Sequence, residues 1–380
     1  MPGPLFSRRA FSRTALQSFA AAFALPRLRS QENFRHNLPT GDGFIRISFN
    51  ENNYGPSPKA TQALDACGPI ANRYPFVSEM GMTQALADYH GVKPENIILG
   101  CGSTEILRIA DEAYLAPDKN LVVAEPTFEA VLEYAGIEHA ASIKIPLTAD
   151  HRHDLRRMAD ACTSKTGLVY VCNPNNPTAT IVTRDDMAEF INRIPRTTLI
   201  LVDEAYFDFV DDPRYATILP LIPSHPNLVM ARTFSKIFGM AGMRLGYAVG
   251  APETLAPMRK LLVQDSANAA VLSAGLASLQ DRDYIADCRG KFIATRKWLA
   301  AELTKDGRNF TDSQANFLMI DVGTDVTPVI KQFMDRKILI GRRFPSMGTW
   351  IRVSIGKQAE MEAFVAALRE VVPAQGSRAA

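Results

Sequence analysis

Apolar positions fall into two patterns along most of the chain. From about Ile45, short apolar runs bounded by Gly, Pro or Asn recur at residues 96–99, 121–124, 168–171, 199–202, 228–231 and 245–249. Such runs are the signature of strands buried on both faces. Between them, residues 104–114, 184–194 and 252–262 carry the spacing of a helix with one buried side. Strands separated by helices predict an α/β fold with a mostly parallel sheet. The pattern then changes. Helical periodicity dominates residues 267–303, and a smaller α+β unit follows, with strands at 317–321, 338–340 and 350–354 and a last helix over 359–371. The chain divides accordingly into a segment of residues 1–30, an N-terminal arm over 31–75, a large domain over 76–265, and linking helices with a small C-terminal domain over 266–380.

Composition narrows the function classes. The 380 residues carry 42 Lys and Arg against 40 Asp and Glu, a net charge of +2, and 47% are hydrophobic. That apolar share is too high for a disordered chain. No basic surplus is available to neutralise phosphates, so no nucleic-acid partner is expected. No apolar run reaches the ~18 residues of a membrane span. Five cysteines, at 67, 101, 162, 172 and 288, include no CxxC pair. An odd, scattered set indicates neither a zinc site nor a disulfide framework. His151-Arg152-His153 lacks a Cys or carboxylate partner at ligand spacing and reads as surface, so no metal is expected.

The charge is unevenly spread. Arg8, Arg9, Arg13, Arg27 and Arg29 all precede the first acidic residue, Glu32. Without residues 1–30, 37 basic side chains face 40 acidic ones, a balance of −3. Residues 7–13 read Ser-Arg-Arg-Ala-Phe-Ser-Arg, followed by a weakly apolar stretch and the small-x-small pattern Ala22-Phe23-Ala24. This resembles a twin-arginine export signal, which implies a periplasmic or exported protein. A disordered basic arm on a cytoplasmic protein and a transit peptide are the alternatives.

Parallel sheets bind ligands at the carboxyl ends of their strands, so the residues just after each strand carry the candidate chemistry. Gly100-Cys101-Gly102-Ser103-Thr104-Glu105 opens a helix after the first run. Cys172-Asn173-Pro174-Asn175-Asn176-Pro177-Thr178 follows the third, and Asp203-Glu204-Ala205-Tyr206 the fourth. Arg232-Thr233-Phe234-Ser235-Lys236 follows the fifth, with Arg244 eight residues on. Each alone has an ordinary reading, as a helix cap, a turn or a surface lysine. Their joint occurrence in this order is what points to a cofactor site.

Together these segments resemble the fold-type I pyridoxal-phosphate (PLP) enzymes of the class I/II aminotransferases, and most closely the histidinol-phosphate aminotransferase family. The resemblance spans residues 45–372 and rests above all on Thr233-Phe234-Ser235-Lys236 with Gly242-x-Arg244-x-Gly246. It implies a large, mostly parallel-sheet domain and a smaller α+β C-terminal domain. It makes Lys236 the lysine that forms a Schiff base with PLP and later moves the proton at Cα. Asp203 would pair with the ring nitrogen and keep it protonated. Tyr206 and Asn176 would bond the phenolic oxygen. Gly102, Ser103 and Thr104 would hold the phosphate at a helix N-terminus, with Thr233, Ser235 and Arg244 completing the set. Phe128 would stack on the ring, where many relatives have Tyr. Tyr74, in Asn72-Arg73-Tyr74-Pro75, matches a tyrosine that reaches the neighbouring subunit's cofactor, which implies a homodimer with shared active sites.

For the substrate, the resemblance makes Arg352 the arginine that grips the α-carboxylate, and puts Tyr54 and Asn316 near it. Arg342 or Arg343 would meet a second acidic group; the adjacent pair leaves the choice open. Two departures stand out. Asn53 replaces a proline and is expected to loosen its turn, and Ala179 replaces a glycine and is expected to change its turn locally. The implied reaction is transamination between an amino acid or amino-alcohol phosphate and a 2-oxo acid such as 2-oxoglutarate. The alternatives are a PLP-dependent decarboxylase or lyase on the same scaffold, as in threonine-phosphate decarboxylases, or a non-catalytic binding protein.

Overall fold

The computed structural model describes residues 43–373. Arg8, Arg9 and the rest of the proposed export signal lie outside the described residues. Strand β1 (Ile45–Ile47) comes first. Helix α1 (Pro58–Asp65) starts where the Ser57 side chain accepts the Ala60 N–H and Pro58 has no N–H in need of an acceptor, and α2 (Phe76–His90) stops at Gly91, which takes a left-handed conformation. The alternating half follows as β2 (Ile97–Gly100), α3 (Ser103–Tyr114), β3 (Asn120–Glu125), α4 (Ala130–Ile137), β4 (Ala141–Pro146), α5 (Leu155–Ala161), β5 (Thr166–Cys172), α6 (Arg184–Arg193), β6 (Leu199–Asp203), β7 (Leu228–Thr233), β8 (Gly246–Gly250) and α7 (Pro252–Arg259). The C-terminal half holds α8 (Ala269–Gln280), α9 (Arg282–Lys305), β9 (Phe317–Asp321), α10 (Val326–Asp335), β10 (Ile338–Ile340), β11 (Trp350–Ser354) and α11 (Gln358–Val371).

Seven strands form one sheet in the order β2-β8-β7-β6-β5-β3-β4. All pairings are parallel except those of β8, which is antiparallel to both neighbours. Alternate residues feed two cores. Val122, Val169, Ile200 and Met230 pack on one face. Leu121, Leu168, Leu201 and Val229 pack on the other, with Ile106 and Leu107 of α3. Each such side chain contributes about 1.5–3 kcal/mol by leaving water, which makes the sheet a rigid base for the loops at its carboxyl ends. Two smaller sheets hold the chain ends: β1 runs parallel to β10, and β9 antiparallel to β11.

The α/β architecture follows the expected pattern, with differences of detail. Strand β4 went unread because it lies at the sheet edge, where only Ile145 is buried. The helix expected over 252–262 ends at Arg259, and the helical stretch 267–303 is two helices divided at Asp281. His153 is buried, not at the surface. A tight turn, in which the His151 N–H donates to Thr148 O at 2.9 Å, folds it inward ahead of Leu155. Asn53 does not loosen its turn: its side-chain amide donates to Arg46 O at 3.2 Å and to Glu360 Oε2 at 2.6 Å, tying the segment to β1 and α11. Ala179 sits at φ 62, the left-handed conformation in which a glycine would be unstrained, so the turn persists with an alanine in it. Among the described residues no helix is long and apolar enough to cross a membrane, and no three side chains cluster as metal ligands.

Candidate active site

Four loops leave the carboxyl ends of β2, β5, β6 and β7, and the candidate residues converge there. The first part is a cradle for an anion. Gly102 caps α3 at φ 80, and the first-turn N–H groups of Ser103 and Thr104 lie outside the helical ladder. A side chain at Gly102 would overlap the guanidinium of Arg244. Arg244, itself at φ 64, donates from Nη1 to Ser235 Oγ at 3.3 Å and to Ala241 O at 3.0 Å. The Thr233 hydroxyl donates to the same Ser235 oxygen at 3.0 Å. Backbone N–H groups, a hydroxyl and a guanidinium around a glycine suit a phosphate.

The second part is a buried acid and a depressed lysine. Asp203 ends β6 and is 3% exposed. The Ala205 N–H donates to its Oδ1 at 3.0 Å and the Tyr170 hydroxyl to its Oδ2 at 3.0 Å. Burial pushes its carboxyl up to about 6 against these donors and against Lys236, which favour the charge. The Lys236 ammonium donates to Phe49 O at 3.3 Å and lies 5.5 Å from the centre of the Tyr206 ring. Burial, seconded by the cation of Arg352, pushes it down to about 8. A lysine shifted this way is a usable base and nucleophile near neutral pH.

The third part reaches across from the chain ends. Arg352, on β11, donates from Nη1 to Asn176 Oδ1 at 2.7 Å and from Nη2 to Ser48 O at 2.8 Å. Its Nε is buried with no hydrogen-bond partner. Tyr206 is buried, accepts the Asn50 amide at 3.1 Å and packs edge-on against Phe317 at 4.9 Å. Burial holds its phenol well above the usual range, so it stays protonated. Asn316 donates to the carbonyls of Asn50, at 3.0 Å, and Glu51, at 3.3 Å, while its Oδ1 is buried without a partner.

The remaining candidates spread outward. Phe128 is half-buried beside Glu129, which forms an ion pair with Arg342. Arg342 lies 4.4 Å over the Phe344 ring and Arg352 5.1 Å from the same ring, so two cations share one aromatic. Arg343 turns instead to Asp325, at 3.4 Å. Tyr54 directs its ring to Phe292 on α9, at 5.4 Å and at right angles, with Lys291 and Lys357 over it. Tyr74 is 86% exposed. Sequence reasoning assigned no role to Asn50, Tyr170 or Glu129. Asn50 stands in the segment that leads to Tyr54, whereas Tyr170 reads as an ordinary core aromatic.

These residues fit PLP. The glycine cradle suits its phosphate, the buried Asp203 a cationic ring nitrogen, Tyr206 with Asn176 its phenolic oxygen, and Lys236 its aldehyde. Comparison with known proteins agrees. Residues 42–368 match the family described as aminotransferase class I and II. The chain is 36% identical over 331 residues to a histidinol-phosphate aminotransferase of Moorella thermoacetica, covering 86% of this chain and 85% of that one. It is 34% identical over 339 residues to an aromatic amino acid aminotransferase of Cutibacterium acnes, covering 89% and 96%. The solved structure of histidinol-phosphate aminotransferase from Sinorhizobium meliloti, in complex with pyridoxal-5'-phosphate, matches with a TM-score of 0.82 at 27% identity, over 90% of this chain and 93% of that one.

Proposed function

The chain belongs to the class I and II aminotransferases, and from that premise we propose which residues perform the transfer and on what substrates. It is a PLP-dependent enzyme that moves an amino group between an amino compound and a 2-oxo acid. PLP, when bound, supplies the electron-withdrawing ring that makes a Cα–H bond acidic. Lys236 would take the proton from Cα of the amino compound and hand it back on the cofactor's side of the transferred nitrogen. Its lowered ammonium supports this, because the amine is largely free at mildly alkaline pH. Asp203 would hold a proton on the cofactor's ring nitrogen. Arg352 would grip the α-carboxylate and fix how the amino compound is presented, so that the Cα–H bond, and not the bond to the carboxylate, is the one that breaks.

The pairing of a buried Asp203 with Lys236 at the ends of β6 and β7 carries this reading. Lys236→Ala should abolish both the visible band of bound cofactor and turnover; full activity without this lysine would sink it. The relatives do not favour decarboxylation, elimination or a silent binding protein.

For the substrates, the acceptor is 2-oxoglutarate and the donor an amine with an aromatic or imidazole ring. The names of both relatives support the donor, and Arg342 beside Arg352 supports a second anionic group. A panel of amino donors with 2-oxoglutarate, histidinol phosphate included, tests this; turnover confined to small aliphatic donors would overturn it. The enzyme works as a homodimer, in which Tyr74 reaches the partner's cofactor phosphate. The exposure of Tyr74 with Phe76, Val77 and Met80 supports that arrangement. The arginine-rich leader sends the folded protein out of the cytoplasm. Fractionation of a tagged chain with Arg8→Lys and Arg9→Lys checks it, export unchanged by the pair being the adverse result.

A further inference from the structure

Tyr170 stands in β5, fully buried, among the apolar side chains of Leu168, Val169 and Val171. A phenylalanine would fill the same space, and a buried hydroxyl is costly unless it is bonded. The register explains where the hydroxyl goes. Cys172 pairs with Asp203 and Tyr170 with Leu201, so Tyr170 lies diagonally one step back from the acid on the neighbouring strand. Its hydroxyl covers that step and donates to Asp203 Oδ2 at 3.0 Å. The other carboxylate oxygen is held by a backbone N–H, which no side-chain change can remove. Burial, with the adjacent carboxylate, holds the phenol well above its usual range, so it is a donor at every working pH.

We propose that Tyr170 is a positioning residue for the reaction: its hydrogen bond makes Asp203 a weaker base, so that the proton they share stays on the cofactor's ring nitrogen and not on the acid. A donor aimed at a carboxylate favours its charged form, and the same bond fixes the carboxylate's orientation. The inference rests on the assignment of Asp203 to the ring nitrogen.

The test compares wild type, Tyr170→Phe and Asp203→Asn. Binding of PLP to the apoprotein is followed across pH by its visible band, alongside steady-state kinetics of the loaded enzyme. In Tyr170→Phe the acid limb of cofactor binding should move up by about one pH unit. The kcat should fall about tenfold, the loss expected for one hydrogen bond to a charge, with KM little changed. Fluorotyrosine at position 170, a more acidic phenol and a stronger donor, should move the limb the other way, and it decides the matter if the phenylalanine variant does not fold. A limb unmoved by either change, while Asp203→Asn removes it, overturns the role of Tyr170 alone. A limb and kcat that survive Asp203→Asn overturn the site assignment and this inference with it.

Discussion

Two titratable groups at the site are pushed toward each other by the same burial. The Asp203 carboxyl rises to about 6 and the Lys236 ammonium falls to about 8, so between those values the acid is charged and the lysine is beginning to lose its proton. In the apoprotein, Lys236 should react with an amine reagent along a titration curve centred near pH 8; peptide mapping after limited labelling reads this. The folded state releases the Lys236 proton before the unfolded chain does, so this group adds stability as pH rises from about 8 toward 10.5. Lys236→Met should flatten that rise in apoprotein melting curves. Next to Asp203, Glu204 is 1% exposed and accepts from Arg232 at 2.7 Å, from Thr217 at 2.8 Å and from the Ile218 N–H at 2.8 Å. Removing one member leaves the other charge buried alone. Arg232→Met should therefore cost about 3–5 kcal/mol in urea unfolding.

At the scale of elements, the anion cradle depends on how closely β8 runs past the start of α3. A methyl group at Gly246 would overlap the backbone of Gly102 and Ser103. Gly246→Ala should push the strand off the helix and weaken PLP binding by at least about tenfold, measured by cofactor titration of the apoprotein. Legibility in the sequence divides along the same line. Central strands read easily, because β5, β6 and β7 are buried on both faces and present unbroken apolar runs. Asp203 at the end of β6, Lys236 three residues past β7 and Arg244 just before β8 were legible only together, because each alone has an ordinary structural reading. Strand β4 was hidden by its exposed edge. His153 was misjudged because periodicity says nothing of a turn that folds back. Tyr170 and the Glu129–Arg342 pair were out of reach, since a contact between distant segments leaves no local trace.

At the scale of the whole molecule, the surface of α2 is the least expected feature. Phe76, Val77 and Met80 are 66%, 80% and 60% exposed, and they adjoin Tyr74. In the proposed homodimer, this is the face to be covered. Val77→Asp with Met80→Asp should shift sedimentation toward monomer and, by withdrawing Tyr74, lower cofactor affinity in the same variant. A monomer that keeps full affinity would separate assembly from the site.

The two sides of the reaction centre also differ in when they are made. The residues of the anion cradle, the acid and the lysine all lie between Gly102 and Arg244, in one sheet. The arginine proposed to meet the carboxylate is Arg352, whose partners include Ser48 near the start of the described chain. On the ribosome, the cofactor's half of the pocket leaves the tunnel about a hundred residues before the half that selects what is transaminated. A chain still lacking Arg352 thus carries the residues that fit the cofactor without the arginine proposed to select the substrate, and pulling β1 from β10 would disturb both at once, through Ser48 beside Arg352 and through the Phe49 and Asn50 contacts of Lys236 and Tyr206.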